Sequence, residues 1–142
     1  DFILDKYQIF QSRAFGADAV LLIVSMLTKE KLQELFELTQ TLWMQSIVEI
    51  HDETELETAL EVGAEIIGIN NRNLHNFVTD IEVTEQLAPK IPNGKIIVSE
   101  SGIKNINDIN RIQKAGVNAA LIGESLISSK NIATKLKEFI ND

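Results

Sequence analysis

Val62-Gly63-Ala64-Glu65-Ile66-Ile67-Gly68-Ile69-Asn70 places the end of a helix, a glycine, a strand and a polar strand terminus in direct succession. Glycine just beyond a helix takes the left-handed conformation that closes it, and the short apolar run Ile66–Asn70 has the length and isoleucine content of a strand. The same word stands upstream as Phe15-Gly16-Ala17-Asp18-Ala19 and downstream as Ala115-Gly116-Val117-Asn118-Ala119. A junction of helix, glycine and strand built repeatedly with so short a loop implies right-handed crossovers onto a parallel sheet.

Outward from these junctions, short runs rich in Val and Ile recur as Phe2–Leu4, Ala19–Val24, Ser46–Ile50, Ile66–Asn70, Lys95–Glu100 and Ala119–Gly123. Most are apolar throughout, as strands are when both faces are covered. Helical spacing fills the intervals. Leu32, Leu35, Phe36 and Leu38 follow Thr28 as N-cap, while Leu56, Leu60 and Val62 follow Asp52, with Glu55 at capping-box spacing. Ile106, Ile109, Ile112 and Ala115 repeat the pattern. Six βα units in one domain, residues 1–142, are therefore expected, with no linker between them.

An open doubly wound sheet gathers its polar residues at one switch point, whereas a barrel spreads them over the C-terminal ends of several strands. Glu49, Asn70, and Glu100 with Ser101 fall at successive strand ends, which selects the (β/α)8 TIM barrel of the α/β class. A whole barrel takes ~250 residues and eight strands, so the six units expected in 142 residues make it incomplete. Its two open edges would expose unpaired backbone groups, and the fragment is expected to associate through them.

Thirteen Lys and Arg against 21 Asp and Glu give a net charge of −8, which repels a polyanion and argues against nucleic acid as a partner. With no cysteine there is neither a disulfide nor a thiolate metal site. No apolar run reaches the ~20 residues of a membrane span, and the first residues lack the pattern of a signal peptide, so a cytoplasmic protein with no membrane partner is expected.

Candidate chemistry follows from the strand ends. Gly102 and Gly123, after the last two strands, suit a loop whose backbone amides approach a phosphate; the plainer reading makes them turn glycines. Glu49 lies inside Ile47-Val48-Glu49-Ile50, where a carboxylate is costly to bury. A second carboxylate, Glu100, would push its pKa towards neutrality and make it a general acid or base; the competing reading is an ion pair to a lysine. Asn70 and Arg72 belong beside that site, whereas Asn71 and Asn73 read as turn residues. His51 and His75 read as loop residues with no metal partner, Trp43, Met44 and Phe36 as packing groups, and Glu53, Glu55, Glu57 and Glu61 as a solvated helix face.

Taken in order, Asp1-Phe2-Ile3, Val20-Leu21-Leu22-Ile23-Val24, Val48-Glu49-Ile50-His51, Gly68-Ile69-Asn70-Asn71-Arg72-Asn73-Leu74, Ser99-Glu100-Ser101-Gly102-Ile103 and Gly123-Glu124-Ser125-Leu126 resemble the indole-3-glycerol phosphate synthase family, strands three to eight of its barrel. The resemblance implies conversion of 1-(2-carboxyphenylamino)-1-deoxyribulose 5-phosphate to indole-3-glycerol phosphate by ring closure, decarboxylation and dehydration, in tryptophan biosynthesis, without a metal or organic cofactor. It implies that Glu49 handles a proton in the dehydration and that Asn70 and Glu100 orient the substrate, with Arg72 and Ser101 completing that wall. It implies that Gly102, Gly123 and Glu124 hold the phosphate, and that Phe2, Leu21, Leu74 and Ile122 pack near the anthranilate ring. The full-length parent is expected to be a monomer.

One departure bears on activity. The family's general-acid lysine precedes the Asp-Phe pair, a second functional lysine lies on strand one, and Lys6 stands on the helix side of its strand. A polypeptide of these residues alone is therefore expected to be inactive, and a non-catalytic phosphate-binding barrel fragment is the alternative. Another phosphate barrel, such as phosphoribosylanthranilate isomerase, shares the glycines but not the Val48-Glu49-Ile50 and Asn70-Asn71-Arg72 words.

Overall fold

The computed structural model describes residues 2–73 and 77–140. Strands β1 (Ala19–Ile23), β2 (Gln45–Ile50), β3 (Ile66–Asn70), β4 (Ile96–Glu100) and β5 (Ala119–Leu121) alternate with helices α1 (Lys6–Ala14), α2 (Lys29–Thr41), α3 (Glu53–Glu61), α4 (Glu82–Leu87) and α5 (Ile106–Lys114). Helices α6 (Glu124–Ile127) and α7 (Ile132–Ile140) follow β5, and single 3₁₀ turns lie at Val24–Met26 and Ala88–Lys90. All ladders are parallel, and the spatial order β1-β2-β3-β4-β5 repeats the chain order. A doubly wound sheet reverses its strand order at a switch point; an unbroken sequential order is that of a (β/α)8 barrel wall. The chain forms part of such a barrel.

Among the described residues five strands are paired, against the six runs expected from sequence. Phe2–Leu4 enters no ladder, because its backbone is occupied by the helix that follows. The Gln8 side chain donates to the Phe2 carbonyl at 2.7 Å and accepts from the Leu4 and Asp5 amides at 2.8 and 3.1 Å. With Asp5 as N-cap, the same glutamine completes the capping box of α1.

The main core lies between the sheet and the helices, where Leu22, Val48, Ile50, Ile67 and Ile69 meet Ile9, Leu32, Leu35, Leu56 and Ala59. Alternate residues turn to the other face, towards the barrel interior. In register these are Glu49 beside Gly68 and Gly68 beside Val98, then Asn70 beside Glu100 one step closer to the strand ends.

Four helices end in the same Schellman closure: the amides of Ala17, Met44, Ala64 and Val117 return to the carbonyls of Ser12, Thr39, Ala59 and Ile112. Three of the four left-handed positions hold the glycines singled out in sequence, Gly16, Gly63 and Gly116, with φ of 88°, 83° and 92°. The fourth holds Trp43 at φ 58°, and its side chain is 90% exposed rather than packed in the core. An L-residue in this conformation costs about 1–2 kcal/mol, more than the added chain entropy of glycine. Trp43→Gly is expected to stabilise the protein by about 0.5–1 kcal/mol, read as a higher urea midpoint at unchanged m-value; a lower midpoint would show that the indole packs usefully.

Candidate active site

The strand ends carry a buried polar cluster. Glu49 of β2 and Glu100 of β4 are 3% and 4% exposed, and they face one another across β3. Gly68 makes the approach possible. A Cβ built there would lie 2.2 Å from Glu100 Oε1, so glycine is the residue that lets the Glu100 carboxyl lie over β3. Asn70 donates from Nδ2 to Glu49 Oε1 at 3.0 Å and accepts the Arg72 amide at 2.9 Å.

His51, two residues beyond Glu49 on β2, is part of this cluster and not a loop residue. Its Nε2 stands 3.3 Å from Glu49 Oε1, an ionic contact without the alignment of a hydrogen bond. Its Nδ1 lies 3.0 Å from Glu55 Oε2. Glu55 therefore leaves the solvated face expected of it: its carboxylate accepts the His51 amide at 2.7 Å, while Asp52 caps the Glu55 amide at 2.9 Å. The ion pair of Glu49 is with this histidine, not with a lysine.

These contacts separate the two acids. Burial, and then the charge of Glu49, push Glu100 up to about 8. Burial also works to raise Glu49, but His51 and Asn70 outweigh it and hold that carboxyl below its ordinary value. Glu49 and Glu55 together raise His51 to about 9. Near neutral pH the cluster thus holds one ionised carboxylate, one carboxylic acid and one imidazolium, a base and an acid side by side.

A stability consequence follows. Glu100 keeps its proton in the fold up to about 8 but loses it near 4.5 when unfolded, and His51 keeps its proton up to about 9 against 6.5. Between these values the folded state binds more protons, so stability falls as pH rises. Thermal melts should show Tm dropping by roughly 10 °C or more between pH 6.5 and 9, less in Glu100→Gln; a flat profile would contradict the proton assignment.

Beyond the acids, Arg72, Ser101, Gly102, Ile122, Gly123 and Glu124 converge on a cleft of about 890 Å³, which Lys104, Ser125 and Lys135 also line. Ser101 and Gly102 both have positive φ, 65° and 75°, and only the second is a glycine. Gly123, the N-cap of α6, has φ −119°, open to any residue, and a Cβ there would meet nothing, so the backbone does not require glycine at that position. The Arg72 guanidinium pairs with Glu124.

The proposed ring-packing residues are less gathered. Ile122 lines the cleft; Leu21 is half-buried in the middle of β1; Phe2 is 57% exposed; Leu74, like His75, lies outside the described residues. Lys6 pairs with Glu34 in the helix layer at 2.6 Å, away from the cluster. Among the described residues no group of three or more His, Asp or Glu side chains is placed to hold a metal ion. No helix among them is long and apolar enough to cross a membrane.

Asn71 is not a turn residue: it is fully buried between the end of β3, the end of β4 and α4. Its Nδ2 donates to Ser99 Oγ and to the carbonyls of Glu100 and Ser101 at 3.0–3.1 Å, and its Oδ1 accepts from the Thr84 amide and hydroxyl at 3.1 and 2.8 Å. This side chain fixes the backbone that carries Glu100 and Ser101.

Comparison with known proteins bears directly on this arrangement. The model of one family, "Indole-3-glycerol phosphate synthase", matches residues 1–139. The chain belongs to the indole-3-glycerol phosphate synthase family. Proteins of that name from Dehalococcoides mccartyi and Acetivibrio thermocellus are 54% and 51% identical over 140 and 139 residues, 99% and 98% of this chain. The chain spans 54% of the length of each, about half of a synthase. Among solved structures, 3-hexulose-6-phosphate synthase from Salmonella typhimurium superposes with a TM-score of 0.80 over 96% of this chain and 67% of its own, at 14% identity. Thiamine phosphate pyrophosphorylase from Pyrococcus furiosus gives 0.70 over 92% and 61%, at 16% identity. At such identity these two carry the barrel fold and nothing more.

Proposed function

We propose that the protein containing this segment is an indole-3-glycerol phosphate synthase, a carboxy-lyase of tryptophan biosynthesis acting on 1-(2-carboxyphenylamino)-1-deoxyribulose 5-phosphate without a cofactor. The observation that carries the reading is the pair of buried acids, Glu49 and Glu100, brought together over Gly68, with Ser101 and Gly102, which directly follow Glu100 in the chain, lining the cleft. Ionised Glu49 is suited to take the proton lost in dehydration, and protonated Glu100 to donate a hydrogen bond to a substrate hydroxyl. Asn70 orients the same hydroxyls, while Arg72 and Ser101 form the adjoining wall. The phosphate would lie against the amides of Gly102, Gly123 and Glu124, with Lys104 and Lys135 supplying positive charge nearby. Phe2, Leu21, Leu74 and Ile122 would face the anthranilate ring.

The acid for ring closure belongs, by family resemblance, to a lysine preceding the Asp-Phe pair. Residues 1–142 alone should therefore show no turnover. A chimera in which they replace the matching part of the Dehalococcoides mccartyi synthase should convert the anilino-ribulose phosphate to a product with indole fluorescence. A folded chimera without turnover would overturn the reading. The outer sides of β1 and β5 carry no partner strand among the described residues. We expect residues 1–142, made alone, to associate through these edges, and sedimentation showing only monomer at micromolar concentration would count against it.

A further inference from the structure

His51 directly follows the end of β2, two residues beyond Glu49, so both side chains leave on the same side, while Glu55 reaches back to His51 from the first turn of α3. Glu55 grips His51 twice, at the backbone amide (2.7 Å) and at Nδ1 (3.0 Å). With Nδ1 and the main chain fixed, Nε2 is held 3.3 Å from Glu49 Oε1. His51 and Glu55 are both well covered: 16% of each side chain is exposed. The other groups facing Glu49 are Asn70 from β3, a neutral donor, and Glu100 from β4, a second acid. Among the described residues no Lys or Arg forms an ion pair with Glu49 or Glu100; the positive charge in the cluster is the imidazolium.

Two carboxyls confined together share a proton, and nothing in the pair itself decides which one keeps it. We propose that His51, clamped by Glu55, is the positioning residue that makes Glu49 the base and leaves Glu100 the acid. The inference rests on the synthase reading for its kinetic consequence, but not for its electrostatic one. It assigns to Glu55, four residues beyond His51, the role of holding the imidazole in a single orientation.

The test uses the full-length protein. His51→Gln keeps an N–H donor towards Glu49 and removes the charge. The rising limb of the kcat/KM profile should move up by about one pH unit, because Glu49 then ionises later, so that activity on the acid side falls by up to ~10-fold with little change in KM. Glu55→Gln should move the limb the same way by less. A His51→Gln profile that superimposes on wild type, even with a lowered Tm, would reduce the histidine to a structural role and overturn the proposal. The second readout needs no substrate: the imidazole titration of His51, assigned by its loss in His51→Gln, should lie near pH 9 and fall in Glu49→Gln. Titration near 6.5, unmoved by Glu49→Gln, overturns it as well. If wild type turns over no substrate, the synthase reading fails, and the titration alone decides the inference.

Discussion

Glu49→Gln in the full-length enzyme is expected to lower kcat/KM by roughly 10³-fold, within the 10²–10⁴ typical of losing a positioned general base. The amide nearly matches the carboxylate in shape, so the Asn70 contact and the β2 ladder should survive, and KM should change little. Two things are lost. The group proposed to accept the proton is gone, and the negative charge that helps keep Glu100 protonated disappears with it. Glu100 should then ionise at lower pH, with burial alone left to raise it, so the residual activity should fall off earlier on the alkaline side. Steady-state kinetics across pH 5–9 measure both effects. A loss below tenfold would show that Glu49 does not carry the proton, whatever the fold.

The parts of this arrangement visible in sequence were those written in local periodicity. Ile66–Asn70 is bounded in the structure as it was in sequence, because the Schellman glycine before it and the polar terminus after it are both chain-local signals. Glu49, Asn70 and Glu100 could be brought together from sequence since parallel strands of similar length, closed by like turns, deliver their last residues to one rim. His51 escaped, although its spacing of two from Glu49 was a usable sign that both face the same way. Glu55 was legible as a capping residue, but whether it bonds its own N-cap or the residue before it depends on a side chain that local pattern does not describe. Gly68 inside an apolar strand was an unused signal of close approach; its partner, Glu100, lies a whole βα unit away. Trp43 gave no sign at all: the left-handed closure of α2 is imposed by where β2 must begin, and the residue there is strained to fit. Phe2–Leu4 has strand-like composition, yet Gln8 claims its backbone through side-chain bonds that a hydrophobic run cannot reveal.

Asn71→Ala is expected to be the most damaging of the substitutions considered, at about 3–4 kcal/mol. Local sequence places this asparagine in a turn, but its partners are Ser99, Glu100, Ser101 and Thr84, from 13 to 30 residues away. Truncation strands the buried Thr84 amide without its acceptor and removes the donor shared by the Glu100 and Ser101 carbonyls. A buried polar group left unsatisfied costs ~1–3 kcal/mol, and more than one is exposed to that cost here. Against a total stability on the order of 5–15 kcal/mol this is a substantial fraction. The Thr84 and Ser99 hydroxyls, 2.8 Å apart, can still bond each other, which keeps the estimate below the sum of the individual bonds. Asn71→Ala combined with Thr84→Val should therefore cost less than the two changes added, since removing both partners leaves fewer orphaned groups than removing one. Urea denaturation of the single and double variants measures the coupling. A loss under about 1 kcal/mol for Asn71→Ala, or strict additivity, would mean that the ends of β3 and β4 are held by the ladder alone. In that case the left-handed Ser101 and the placement of Glu100 above Gly68 would need another cause.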